Sequence, residues 1–249
     1  MRLAGVLGAL ALGAGGFTVT TLPRPAFPGP STWTPYAPHR LVLVSSRFEA
    51  PECSKSEISS ADRFHGLQDQ VTFPTGNRQF SIYGKDGATG RYLVASDKSG
   101  HRLYAFDFEN YAWPPRIKPG DREFVYEQPV WAQEANGVLY VETAHSTYAR
   151  SSYNRTAYIT AIALKTRRAL WRTPALVANA EMFLVTKHYL VTGYGFTEEP
   201  DYLYLLDRAT GKVVDQLRLP TAPERIFQQG KLIRVRTYDH VVLVRLRGA

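Results

Sequence analysis

The sequence predicts an all-β chain folded as a β-propeller of four or five blades, with a ring that is complete or left degenerate. Three observations lead there. Short apolar runs rich in Val, Leu, Ile and Tyr recur, beginning at Leu41, Tyr92, Leu139, Tyr189 and Leu232, at separations of 51, 47, 50 and 43 residues. A second β-rich run follows each of the last four, at Leu103, Tyr158, Leu203 and Val241. No stretch of the body carries the 3.6-residue apolar period of an amphipathic helix. A period in the forties with several strands per unit is the pattern of blades that stack side by side and bury both faces.

The elements follow in order. Residues 1–22 hold one charge, Arg2, then an apolar run from Leu3 to Ala14 and a stretch of small residues. This is the layout of a secretory signal peptide, and Leu3 to Leu22 is also long enough for a retained signal anchor. Residues 23–38 contain six of the sixteen prolines and read as a stiff, extended linker. The propeller then occupies 39–249. Its first strand is expected at 41–46, followed by a polar insertion over 47–79 with one short strand near 71–73. Paired strands are expected at 92–96 and 103–107, 138–143 and 158–164, 189–193 and 203–207, and 232–237 and 241–246. The last unit has no room for its outermost strand, and an open edge is a liability. The strand at 41–46 is expected to complete that unit and join the two ends of the ring.

The segment Leu203–Val214, LYLLDRATGKVV, resembles the strand and turn of the quinoprotein-like (PQQ-like) propeller repeat. Asp207 is suited to accept hydrogen bonds from the turn backbone and Gly211 to supply a positive φ. The unit at 137–171 keeps GVLYV and a closing Trp171, with Ala163 and Arg167 at the aspartate and glycine positions. The unit at 90–113 keeps LYAFD and Trp113, and in the fourth unit Asp215 stands at the tryptophan position. The resemblance covers residues from Gly90 onward. It implies a propeller of the non-catalytic branch, whose members include envelope proteins that assist outer-membrane protein assembly. It does not imply quinone dehydrogenase activity, because those enzymes are much longer and use a vicinal disulfide, and this chain has the single cysteine Cys53.

Catalytic patterns are sparse. There is no GxSxG elbow and no SxxK pair, and Cys53 has no base near it in sequence. The six histidines show neither HxH nor HExxH spacing, although His101 and His240 stand at matching positions before their second strands. No metal and no cofactor is expected. Glu198, Glu199 and Asp201 cluster between two strands of one unit, where a propeller presents its rim. They supply the alternative reading of an extracytoplasmic hydrolase or lyase. The net charge is +8, and residues 143–180 contain no acidic residue but six basic ones interleaved with aromatics. Arg150, Arg155, Arg167 and Arg168 flank expected strands there and are the expected partner-binding anchors. The leading expectation is an exported, non-enzymatic binding or scaffold module of the periplasm or cell exterior. Its partner would be a protein or an anionic envelope polymer or lipid. Export disfavours nucleic acid, and an uncleaved leader would give membrane attachment.

Overall fold

The computed structural model describes residues 17–31, 40–51, 62–87 and 89–247. Cys53, His39, residues 1–16 of the leader and residues 32–38 of the linker lie outside the described residues.

Four sheets, antiparallel except for one parallel edge pair (Val19–Thr21 beside Arg102–Asp107), surround a common axis, each one blade of a β-propeller. The second blade runs from the axis outward as β8 (Gln128–Ala135), β9 (Val138–Ala144), β10 (Tyr158–Ala163) and β11 (Arg168–Arg172). The third is β12 (Leu184–Val185), β13 (Tyr189–Tyr194), β14 (Tyr202–Asp207) and β15 (Val213–Arg218). The fourth is β16 (Pro223–Gln229), β17 (Leu232–Thr237), β18 (His240–Leu246) and, outermost, β2 (Leu41–Phe48). The first sheet has six strands, in the order β1 (Val19–Thr21), β7 (Arg102–Asp107), β6 (Gly90–Ser96), β5 (Arg78–Gly84), β4 (Leu67–Thr75) and β3 (Arg63–Phe64).

Strand alternation builds the core between blades. Successive side chains point to opposite faces, so each sheet is apolar on both sides. Leu139 and Val141 pack on Phe80, Ile82 and Leu93 of the first blade. Tyr140, Ile159 and Ala161 meet Leu190 and Leu206 of the third. Val191, Leu203 and Leu205 then pack on Ile226, Ile233, Val235 and Val242 of the fourth, where Leu41 joins them. Among the described residues no apolar cluster joins the fourth blade to the first. The outward face of the first blade is instead covered by its own edge: Phe64 of β3 packs with Tyr83, Tyr92 and Val94, with Phe17 beside it. Asp62 pins that edge, accepting from the Tyr83 hydroxyl at 2.6 Å and from Arg102 at 2.9 Å.

The expected closure is present. β2 pairs antiparallel with β18 from Leu41↔Leu246 to Phe48↔His240. The residue at the tryptophan position makes this possible. Asp215 is buried, and its Oδ2 accepts the backbone N–H groups of Arg40 and Leu41 at 2.6 and 2.7 Å. It caps the entry of the N-terminal strand into the blade.

The repeat turns also keep their chemistry. Asp207 accepts from the Thr210 N–H at 2.9 Å and hydroxyl at 2.7 Å, and Gly211 has φ +70° beneath the Trp171 ring. In the second blade Arg167 takes the glycine position at φ 55°, with its N–H on the Ala163 carbonyl at 2.7 Å.

Two expectations are corrected. Residues 47–79 are not an insertion, since β3, β4 and the start of β5 lie there. The insertion is 108–127, which carries two short 3-10 turns between the first two blades. The runs at Tyr92 and Leu103 are therefore the third and fourth strands of their blade, whereas the other pairs are second and third. The short strand expected near 71–73 is the middle of β4, whose full length and whose partner β5 were not legible because LQDQVTFPT and RQFSIYG mix polar and apolar positions and include Pro74.

Asp215→Ala should destabilise the fold by about 2 kcal/mol, because it strands two backbone donors in a buried site, and lower Tm by about 6 °C. Asp215→Asn, which keeps one acceptor, should cost less. Thermal melts of both variants check this, and unchanged melts would show that the clasp is dispensable.

Candidate functional site

The innermost strands leave a cavity of about 860 Å³ on the axis. β4 and the start of β8 form two walls, and Glu181, Met182 and Arg225 contribute from the third and fourth blades. Asp69 is buried and accepts the Thr72 hydroxyl at 3.1 Å. Trp131 stacks on Phe73 with ring centroids 4.1 Å apart, and its buried indole N–H has no acceptor among the described residues. Gln128 fixes the seam between the first two blades by accepting the Gly90 N–H at 2.7 Å. Across the cavity, Arg225 Nε donates to Glu181 at 3.0 Å. The wall thus mixes an indole, a carboxylate and an ion pair with apolar patches, which suits recognition of a polar chain segment.

The candidate arginines separate into two groups. Arg150 is exposed and lies 4.8 Å from the Tyr148 ring, and Arg168 is exposed on β11. Arg155 and Arg167 are engaged within the chain. Arg155 donates to the Phe27 carbonyl, and Arg167 to the Thr18 carbonyl and Thr20 hydroxyl at 3.1 and 3.0 Å. The described part of the proline-rich segment is therefore docked on the body rather than free of it.

Sequence reasoning missed the arginine that matters most to this contact. Alternation in RALWR turns Trp171 toward the third blade and Arg172 to the opposite side. Arg172 sits 3.9, 4.6 and 4.9 Å from the Tyr158, Phe27 and Tyr111 rings. It donates to the Ala26 carbonyl at 3.0 Å and to Thr143 Oγ1 at 3.2 Å. Behind it lies Glu127, fully buried, 3.6 Å from the guanidinium and accepting from the Thr143 and Thr156 hydroxyls at 3.0 and 2.9 Å. Burial pushes the Glu127 carboxyl up to about 7 despite Arg172 and the hydroxyls, which favour its ionised form. The available signal was a charged residue at an inward strand position.

The rim carboxylates are not brought together. Glu199 accepts from the Tyr194 hydroxyl and, at 2.9 Å, from the Ala149 N–H. Glu198 is exposed at φ 65°. Asp201 lies against Gly195, with Oδ1 buried and without a hydrogen-bond partner among the described residues, and burial raises its carboxyl above the usual range. Among the described residues no hydrogen bond joins any of the three to another or to a histidine. His145 and Ser152 do meet, at 2.8 Å, but both are buried, and Ser152 also bonds to the Ala149 carbonyl and Arg155 N–H. Burial lowers the His145 ring to about 4, so it stays neutral as a structural bond. His101 and His240 bind to adjacent turn residues, Ser99 and Asp239. Among the described residues no group of three His, Cys, Asp or Glu could hold a metal, and no helix is long and apolar enough to cross a membrane.

No protein-family model and no curated protein matches the chain. Solved structures similar to it include BamB from Moraxella catarrhalis, at 9% identity over 74% of this chain and 72% of that one, with a TM-score of 0.34. The AfRom2 CNH domain is 10% identical over 72% of this chain and 50% of that one, at 0.40. The computationally designed Ika8 protein is 11% identical over 73% of this chain, at 0.44. The chain spans 46% of Ika8's length. BamB is a PQQ-like propeller repeat protein and the CNH domain is propeller-like. Likeness at this level assigns no activity or partner.

Glu127 makes stability pH-dependent in a defined direction. Its folded value of about 7 exceeds the unfolded 4.5. The stability it confers is therefore full below pH 4.5 and lost as pH rises through 7. Raising pH from 5 to 8 should destabilise the wild type relative to Glu127→Gln by about 3 kcal/mol. Denaturant unfolding of both proteins across that range checks this, and parallel curves would contradict it.

Proposed function

We propose that the chain is an exported, non-enzymatic propeller that binds a protein partner at the mouth of its axial cavity and acts as a scaffold in the cell envelope. One observation carries this reading. The axial cavity draws its wall from all four blades and mixes indole, carboxylate, ion pair and apolar surface. Among the described residues, the rim carboxylates Glu198, Glu199 and Asp201 are not joined to one another or to a histidine by any hydrogen bond. Binding needs complementary surface and no aligned nucleophile and base, and that is what the cavity offers. Export rests on the apolar leader pattern from Leu3 to Ala14. The excess of basic residues favours a partner with an acidic contact surface.

Val71 lines the cavity and is 40% exposed, so Val71→Arg fills it without disturbing the core. This variant should lower capture of a cross-linked envelope partner about tenfold or more while Tm holds. Arg150→Glu with Arg168→Glu, on the exposed rim, should leave capture within about twofold. The reverse pattern would place the contact on the basic rim and overturn the assignment. Hydrolysis that disappears in Glu199→Gln would favour the rim-carboxylate enzyme instead.

A further inference from the structure

A second surface is built for a ligand of a different kind, and the chain's own N-terminal segment lies in it. The first blade is complete without β1. β4 to β7 supply four strands, as in each other blade, and β1 adds outside them, parallel to β7 from Val19↔Ala105 to Thr21↔Asp107. This is strand addition to an open sheet edge. Beyond β1 the segment runs extended across the second blade, where a row of donors reads its carbonyls. Asn110 reaches the Leu22 carbonyl at 2.7 Å, Arg172 that of Ala26 and Arg155 that of Phe27. The Tyr158 hydroxyl takes Pro28 at 3.0 Å, and the Ala175 N–H takes Gly29 at 3.3 Å.

A wall of donors is the complement of a proline-rich strand. Pro23, Pro25, Pro28 and Pro30 have carbonyls to offer and no N–H to satisfy. Only two side chains anchor the segment deeply. Leu22 is fully buried, and Phe27 packs edge-to-face on Tyr158 beside the Arg172 guanidinium. The wall itself does not depend on the segment. Arg172 is oriented by Thr143 and Glu127, and Glu127 by Thr143 and Thr156, all residues of the body.

We propose that the groove from the outer edge of β7 across Arg172, Arg155 and Tyr158 is a recognition site for an extended proline-containing polypeptide, with Phe17–Pro30 as its resident and exchangeable occupant. The groove lies outside the axial cavity and does not depend on the role given to that cavity. A partner strand of the same chemistry would enter by displacing the resident one.

The test keeps the whole chain. A protease site is placed within residues 32–39 and cut after folding, leaving the N-terminal fragment held by the groove alone. A fluorescent synthetic peptide of residues 17–31 is then added, with anisotropy as the readout. Saturable exchange into the nicked chain is expected, reversed by unlabelled peptide. A peptide carrying Phe27→Ala should bind about tenfold or more weakly, a comparison that leaves the body untouched. Arg172→Met in the body should weaken binding similarly, while Arg150→Glu, off the groove, should not. A peptide that never exchanges, a nicked chain that unfolds, or equal binding of the Phe27→Ala peptide would each show that the segment is only a fixed part of the fold.

Discussion

The two ends of the propeller body meet in one sheet, and the rest of the arrangement depends on that meeting. β16 to β18 make three strands of a blade, and their outer edge would otherwise stay open. β2 fills it from the other end of the chain. Its side chains contribute little burial beyond Leu41, and Leu43, Val44 and Phe48 are largely exposed. The pairing therefore rests on backbone hydrogen bonds and on the Asp215 carboxylate, which fixes where the strand enters. That clasp also belongs to the third blade, so it ties β15, β2 and β18 across one blade boundary. Once the fourth blade is set, the inner strands stand around the axis and the cavity exists.

Charge is handled with a consistent logic. The excess of arginine suggests a surface made for anions, yet many guanidinium groups are turned inward. Arg208 illustrates it, donating to the Tyr140 hydroxyl at 2.8 Å and to the Ala135 and Thr186 carbonyls at 3.1 and 3.0 Å. Arg172 and Arg155 do the same for the N-terminal segment. A planar fork with several donors suits this use, because one side chain satisfies carbonyls from two or three segments. These residues add polar ties between loops and strands that also meet through small apolar clusters, as Phe27 does with Tyr158 and Ala175.

Much of the fold was legible because the middle strands of each blade are buried on both faces and read as continuous apolar runs. Tyr158–Ala163 and Tyr189–Tyr194 are examples. The innermost and outermost strands face the axis or solvent on one side, so β4, β8 and β16 mix polar and apolar residues and gave weak signals. The Arg167 and Gly211 turns were legible by alignment of the units. The first blade was not, because the strands that match the apolar pattern are its third and fourth, out of phase with the second and third of the other blades. The candidate sites were harder still. Arg155 and Arg167 stand where an exposed basic surface was expected, but the segment that occupies them is distant in sequence. Glu127, Trp131 and Arg225 acquire meaning only when separate blades bring them to a common wall or cage.

Native-state hydrogen exchange of the β2 amides tests most directly whether the N-terminal strand closes the ring. If β2 is an integral strand of the fourth blade, its paired amides exchange only through global unfolding, with the same protection free energy as those of β17 and β18. Rapid exchange across Leu41–Phe48 while β17 and β18 remain protected would contradict the closure and leave the fourth blade with three strands.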